Sequence, residues 1–229
     1  MEKELNERFI AARKSSNLVE LRKLYEENPG NNTIKFGYAK ALKKLDIDLA
    51  KKLLKELIGT PNENYALLEL GNIARSNKNY FLAKKYFNDI LNGSNFSEED
   101  KNIAILEIGK LEVMLGNTDK ARQYFNSLKG TSNEYFGLLE IGKLELNAGN
   151  ISVAEELFIK CLSSDCWANA RLWLGRIETI RGKYLNALIY LNELLNSPLK
   201  QVACREIEKV QNLQLNESNK IKKISRRWI

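Results

Sequence analysis

Between Ile103 and Leu111 the apolar residues are Ile103, Ile105, Leu106, Ile108 and Leu111. At 3.6 residues per turn these positions fall on two faces, so the segment predicts a helix covered from both sides. A turn follows, "LGNT" at 115–118, and then a second segment with a narrower apolar stripe and more charge, through Ala121 and Phe125. The same sentence recurs along the chain. "LLELG" ends at Gly71, "ILEIG" at Gly109 and "LLEIG" at Gly142, with turns "NKNY", "LGNT" and "AGNI" after them. Each copy predicts two antiparallel helices joined tightly.

Aligned on the glycine inside the first helix, the copies centre on Gly37, Gly71, Gly109, Gly142 and Gly175, spaced 34, 38, 33 and 33 residues apart. A small residue follows on the second helix (Ala50, Ala83, Ala121, Ala154, Ala187), and four residues beyond it a large one (Leu54, Phe87, Phe125, Phe158, Leu191). Such a period marks a helical array: one hairpin cannot bury its own faces, and stacked neighbours can. Glycine inside a helix costs about 1 kcal/mol relative to alanine. Its recurrence implies close approach of the partner helix, with the recurring alanine as the expected counterpart. The longer interval from Gly71 to Gly109 is accounted for by "NGSNFSEED", where Ser97 and Asp100 have the spacing of a capping box.

These residues resemble the tetratricopeptide repeat (TPR) family, whose pattern runs apolar, leucine-glycine, alanine, aromatic. Leu67, Leu70, Gly71, Ala83 and Phe87 match it, as do Ile105, Ile108, Gly109, Ala121 and Phe125, and Leu138, Ile141, Gly142, Ala154 and Phe158. The resemblance implies an all-α fold, a right-handed α-α solenoid of about five TPR-like helix pairs with helical caps at both ends. One domain is expected over 1–229: an N-terminal cap at 1–29, repeats at about 30–200, and a capping helix with a basic extension at 201–229. The chain departs from the family at Glu112, Glu145 and Glu178, three residues after a glycine, where the family usually has tyrosine.

Composition changes this picture little. With 44% hydrophobic and 28% charged residues, the 229-residue chain has the make-up of an ordinary globular protein. No apolar run reaches the roughly 20 residues needed to span a bilayer, and the start has no signal-peptide pattern, so a cytoplasmic setting is expected. The net charge is +7, but residues 217–229 alone carry Lys220, Lys222, Lys223, Arg226 and Arg227 against Glu217. With Ile221, Ile224 and Trp228 interleaved, this tail suggests attachment to nucleic acid or an anionic membrane, or else a capping helix with a solvated side.

Candidate chemistry is sparse. Histidine is absent, which removes the commonest general base and metal ligand. Cys161 falls on a packed face as a small hydrophobe, while Cys166 follows Asp165 in a turn, nearer solvent and without a basic partner. Glu69, Glu107 and Glu140 recur at one repeat position and read as solvated or paired charges, the last two with Lys110 and Lys143 at i,i+3. No phosphate loop is present. The expectation is a protein without enzymatic activity, cofactor or metal.

The resemblance further implies that first helices line a concave groove that takes a peptide or protein segment. The residue after each glycine then forms a ladder of Tyr38, Asn72, Lys110, Lys143 and Arg176, flanked by Arg75 and Met114, with Phe136 and Trp173 as aromatic anchors. A row of positive charge among apolar side chains suits an acidic or amphipathic partner. Lys84, Lys120 and Lys160 are expected on the opposite, convex side. The competing expectation is a sensing or docking portion of a larger regulator or enzyme.

Overall fold

The computed structural model describes residues 2–225, with side chains described for residues 3–219. Among the described residues there are thirteen α-helices and no strand. They are α1 (Glu2–Lys14), α2 (Leu18–Glu27), α3 (Asn32–Leu42), α4 (Ile47–Lys55), α5 (Glu63–Ser76), α6 (Tyr80–Asn92) and α7 (Glu98–Met114). There follow α8 (Thr118–Asn126), α9 (Glu134–Asn147), α10 (Ile151–Lys160), α11 (Trp167–Ile180), α12 (Tyr184–Asn192) and α13 (Lys200–Ser225). This is the all-α helical repeat that the sequence pattern predicts. The closing helix is not confined to the cap before the basic extension. It runs on through most of the basic extension, whose side chains from Lys220 onward, and whose residues Arg226–Ile229 altogether, lie outside the described residues.

The helices form two compact units, Met1–Asn117 and Thr118–Ile229. In the first, α3 packs on α4, α5 on α6, and α6 on α7. Its core joins Leu21 and Leu24 of α2, Leu42 of α3 and Leu53 and Leu54 of α4. In the second, α9 packs on α10 and α11 on α12, and α13 lies against α12. Phe158, Cys161, Leu174 and Ile177 make one cluster there, and Leu191, Leu194 and Val210 another.

The mid-helix glycines have a physical explanation that differs in one respect from the sequence expectation. A Cβ on Gly142 would lie 2.6 Å from Cε1 of Phe158; one on Gly71 would strike the ring of Phe87, and one on Gly175 would come 3.0 Å from Leu191. At these three glycines the group received by the missing Cβ is therefore the large residue four positions after the alanine; at Gly37 it is instead the ring of Phe9 in α1, 2.5 Å from the absent Cβ. Ala83, Ala154 and Ala187 are themselves fully buried. Fully burying a phenylalanine is worth about 1.5–3 kcal/mol, which outweighs the roughly 1 kcal/mol cost of helical glycine.

Two local devices repeat with the hairpins. The first helices α7, α9 and α11 end in a tight turn whose penultimate residue is left-handed: Gly116, Gly149 and Gly182 have φ of 79°, 85° and 72°. The next residue's N–H returns to the carbonyl six positions from the motif's end, as in Asn117 to Glu112 and Asn150 to Glu145. Lys78 occupies the same place after α5 with φ 58°. The second device closes each hairpin onto the next first helix. Thr60, Thr131, Ser164 and Ser197 donate their hydroxyls to the carbonyls of Leu57, Leu128, Cys161 and Leu194 at 2.7–2.8 Å. The same hydroxyls accept from the backbone N–H of Asn62, Asn133, Cys166 and Leu199. Before α7 the longer connection uses the capping box instead: Asp100 N–H donates to Ser97 Oγ, and Ser97 N–H donates to the Asp100 carboxylate.

A left-handed conformation costs a residue with a Cβ about 1–2 kcal/mol, and glycine's larger unfolded-state entropy offsets part of any gain. Lys78→Gly should therefore raise stability by up to about 1 kcal/mol in urea denaturation. A loss of stability would mean that the Lys78 side chain contributes more than its backbone costs.

Candidate functional site

In the first unit, α1, α3, α5 and α7 border an open cleft of about 420 Å³. Phe36, Lys40, Tyr65, Leu68, Asn72 and Ile103 stand on its walls. Tyr65 is 51% exposed, and its ring lies 5.7 Å from that of Phe36. Lys40 places its ammonium 6.0 Å from the Phe36 ring centroid. The sequence ladder included Asn72 but missed Phe36 and Tyr65. For Tyr65 a signal existed: Tyr65, Ile103 and Phe136 stand six residues before Gly71, Gly109 and Gly142. The register that marks Phe136 marks Tyr65 as well.

Tyr38, the first rung of the expected ladder, does not line an open face. It is buried in the core of the first unit, with its ring stacked on Tyr25 at 5.3 Å. It stands on the side of α3 that α2 covers. Met114, at the end of α7, is 51% exposed.

The charged rungs are neutralised within the protein. Arg75 pairs with Glu107 and donates to Asn72 Oδ1 at 2.7 Å. Lys110 also donates to Glu107, at 2.7 Å, and Lys143 to Glu140, at 2.6 Å. Arg176 donates twice to Glu206. Glu69 takes Lys40 and Lys43. The glutamates are not solvated: the side chains of Glu69, Glu107 and Glu140 are only 11%, 13% and 16% exposed. Burial pushes the Glu107 carboxyl up, but Lys110 and Arg75 outweigh it and hold it below the usual carboxylate value. The cations of the expected ladder are thus ion-paired, Lys110 and Lys143 through the i,i+3 pairs that the sequence predicts. Burying a carboxylate demands such partners.

Trp173 continues this row by other means. It stands two residues before Gly175, as Glu69, Glu107 and Glu140 do before their glycines. Its ring stacks on Phe158 at 5.9 Å, and the cations of Arg176 and Lys143 lie 4.6 and 5.8 Å from its centroid. The indole takes the place of the carboxylate opposite the i+3 cation. Phe136 is half-buried against the same cluster.

The glutamates that depart from the family pattern do structural work. Glu145 accepts from Asn150 at 2.7 Å and Arg122 at 2.5 Å; Glu178 accepts from Asn186 at 2.9 Å and Arg181 at 2.8 Å. Buried Glu112 pairs with Lys84 and accepts from Asn117 at 2.7 Å. Lys84 and Arg122 both follow the small alanine of one hairpin and reach the first helix of the next. Lys84 is thus a clasp, unlike exposed Lys120 and Lys160. The i,i+5 recurrence of glutamate and asparagine at 112/117 and 145/150 was the sequence signal.

Cys161 is buried, as its place on a packed face predicts. Cys166 is buried too, correcting its expected exposure, because it stands at the N-cap of α11 against Tyr135 of α9. Among the described residues no helix is long and apolar enough to cross a membrane. No three His, Cys, Asp or Glu side chains gather there as a metal-ligand set.

Comparison with known proteins agrees with this geometry. Residues 104–130 match the family model described as Tetratricopeptide repeat. A tetratricopeptide repeat protein from Parabacteroides merdae is 20% identical, over 90% of this chain and 83% of that one, with a TM-score of 0.73. PilW, a type IV pilus biogenesis factor, is 17% identical, over 88% and 97% of the two chains, with a TM-score of 0.61. Human IFIT1, as a dimer with m7Gppp-AAAA, is 17% identical over 91% of this chain and 54% of its own, with a TM-score of 0.65. No curated protein matches the sequence. The fold is a tetratricopeptide-repeat fold, a class that generally serves as a scaffold for protein–protein interaction.

The clasps should be acid-sensitive. Hydrogen bonds from Asn150 and Arg122 hold the Glu145 carboxyl below its ordinary value near 4.5, and Arg181 does the same for Glu155. A carboxyl lowered on folding contributes stability that is complete above its unfolded value and lost as pH falls through its folded value. Urea stability should decline as pH drops from about 5 to about 3. Glu145→Gln, which keeps an acceptor for Asn150 and removes the charge facing Arg122, should flatten that decline. An unchanged slope in this variant would contradict the role given to the clasp.

Proposed function

We propose that the protein is a non-catalytic interaction scaffold whose first-helix surface receives an amphipathic segment of a partner protein. The observation that carries this reading is the cleft of the first unit. An exposed tyrosine is set there against Phe36 beside two cations, Lys40 and Arg13. Exposed aromatic rings in a concave site are the anchors that supply most interface energy. Arg13, at the rim, lies with its guanidinium 5.4 Å from the Phe9 ring and suits an acidic side chain of the partner. The ion-paired rungs present alternating charge and little net field, which favours apolar anchoring with acidic flanks over a wholly acidic ligand.

PilW and IFIT1, described above, concern different processes, so the partner must be read from this chain's own surface. A tail-mediated attachment to nucleic acid or membrane rests on side chains outside the described residues. No specific observation favours it over the cleft.

Selection from a displayed random-peptide library supplies the test. Binders should combine an aromatic or aliphatic anchor with acidic neighbours. Tyr65→Ala should weaken them about tenfold or more with helical content unchanged. Phe81, 85% exposed on α6, gives the control. If Phe81→Ala weakened binding while Tyr65→Ala and Arg13→Glu left it whole, the partner-binding surface would be the second helices and the cleft reading would fail.

A further inference from the structure

The connections that close the hairpins share a side-chain plan. Three residues after the large residue of the second helix comes a fully buried side chain: Leu57, Leu128, Cys161 or Leu194. Three further on stands the hydroxyl that bridges the turn, and two beyond that comes Asn62, Asn133, Cys166 or Leu199. The backbone of the turn brings the first and last of these positions together. In the connection between α10 and α11 both are cysteine. Neither the helical repeat nor a partner-binding cleft calls for this.

The two sulfurs converge on one atom. Cys161 Sγ lies 3.4 Å and Cys166 Sγ 3.5 Å from the carbonyl oxygen of Tyr135 in α9. Cys166 Sγ is also 3.0 Å from Ser164 Oγ. A hydrogen bond from the Cys161 thiol lowers Cys166 to about 7, with Ser164 adding to the effect, while Cys161 itself is pushed up. Both side chains are buried, but the connection is short, and its Ser163 and Asp165 are exposed. Hydrogen peroxide is little larger than water, so a local opening of this short connection is enough to admit it.

We propose that Cys161 and Cys166 are a dithiol modification site, which a peroxide converts to an intramolecular disulfide. The Cys166 thiolate attacks one peroxide oxygen and the O–O bond breaks. With hydrogen peroxide the departing hydroxide takes a proton and leaves as water, and Cys166 becomes a sulfenic acid. The Cys161 sulfur then attacks the Cys166 sulfur, the S–O bond breaks, and a second water leaves with the Cys161 proton. Two thiols lose two electrons and two protons in all, and one peroxide is reduced to two waters. The disulfide removes both S–H donors from the Tyr135 carbonyl, so oxidation alters the junction of α9 with the connection to α11.

Hydrogen peroxide applied to the folded full-length protein tests this, followed by denaturation, alkylation and tryptic mapping. Cleavage after Lys160 and Arg171 leaves both cysteines in one peptide, 161–171, while Cys204 falls in another. The expected peptide 161–171 is lighter by two hydrogens and takes up no alkylating reagent, while Cys204, exposed and distant in sequence, remains largely alkylatable. Cys161→Leu and Cys166→Asn restore residues found at the equivalent positions of other connections, so their helical content should be unchanged. In Cys166→Asn the remaining Cys161 should alkylate after the same exposure, whereas in Cys161→Leu the remaining Cys166 should gain oxygen without forming an intramolecular disulfide. Full alkylation of both cysteines in the treated protein would overturn the proposal, as would added oxygen without loss of hydrogen. So would equal loss of Cys161 alkylation in Cys166→Asn, because Cys161 would then react without its partner.

Discussion

The fold depends on a ring fitted where a side chain is missing. Phe87 lies against Gly71 and Phe158 against Gly142, each at a distance that a Cβ would forbid. This contact sets how closely the two helices of a hairpin approach. It also leaves the first helix free to bury its other face on the next hairpin. Leu191 against Gly175 is the same contact with a smaller group and a looser fit, 3.0 Å to the absent Cβ. The small alanine beside each contact is buried and permits the approach, but the glycine makes room for the ring.

Ion pairs are layered over this apolar frame. Lys84 to Glu112 and Arg122 to Glu145 each tie the second helix of one hairpin to the first helix of the next. Their carboxylates are largely covered, so removing one partner would strand a buried charge, which costs more than an exposed pair contributes. Within the first unit Arg75 and Lys110 are engaged, and within the second Lys143 and Arg176. In the proposed recognition, the contribution of the first unit therefore comes from its exposed ring, Tyr65, and from the cations at the rim of its cleft.

Much of the fold was legible because its determinants are local or periodic. The glycine register located the hairpins α3–α4, α5–α6, α9–α10 and α11–α12, and Ser97 with Asp100 located the start of α7. The site was legible in part. Tyr38 shared the register of the exposed rungs, yet the α1–α2 cap covers that side of α3, and a repeat register contains no information about what a cap covers. Tyr65 could have been found from Phe136, but Phe36 could not, because its equivalents Leu70, Ile108, Ile141 and Leu174 read as core. The pairing of Cys161 with Cys166 was visible only after the connections were aligned on their hydroxyls, a register offset from the helices that carry the family pattern.

The account stands on the glycine–ring contact, and a double-mutant cycle at Gly142 and Phe158 tests it most directly. Gly142→Ala alone should destabilise by about 1–3 kcal/mol, since the ring has no room to retreat between the helix and Trp173. In a Phe158→Leu background, where the group matches the one that faces Gly175, the same change should cost much less. The coupling should reach about 1 kcal/mol or more. If the two substitutions simply add, within about 0.5 kcal/mol, the glycine does not serve the ring and the packing argument is wrong.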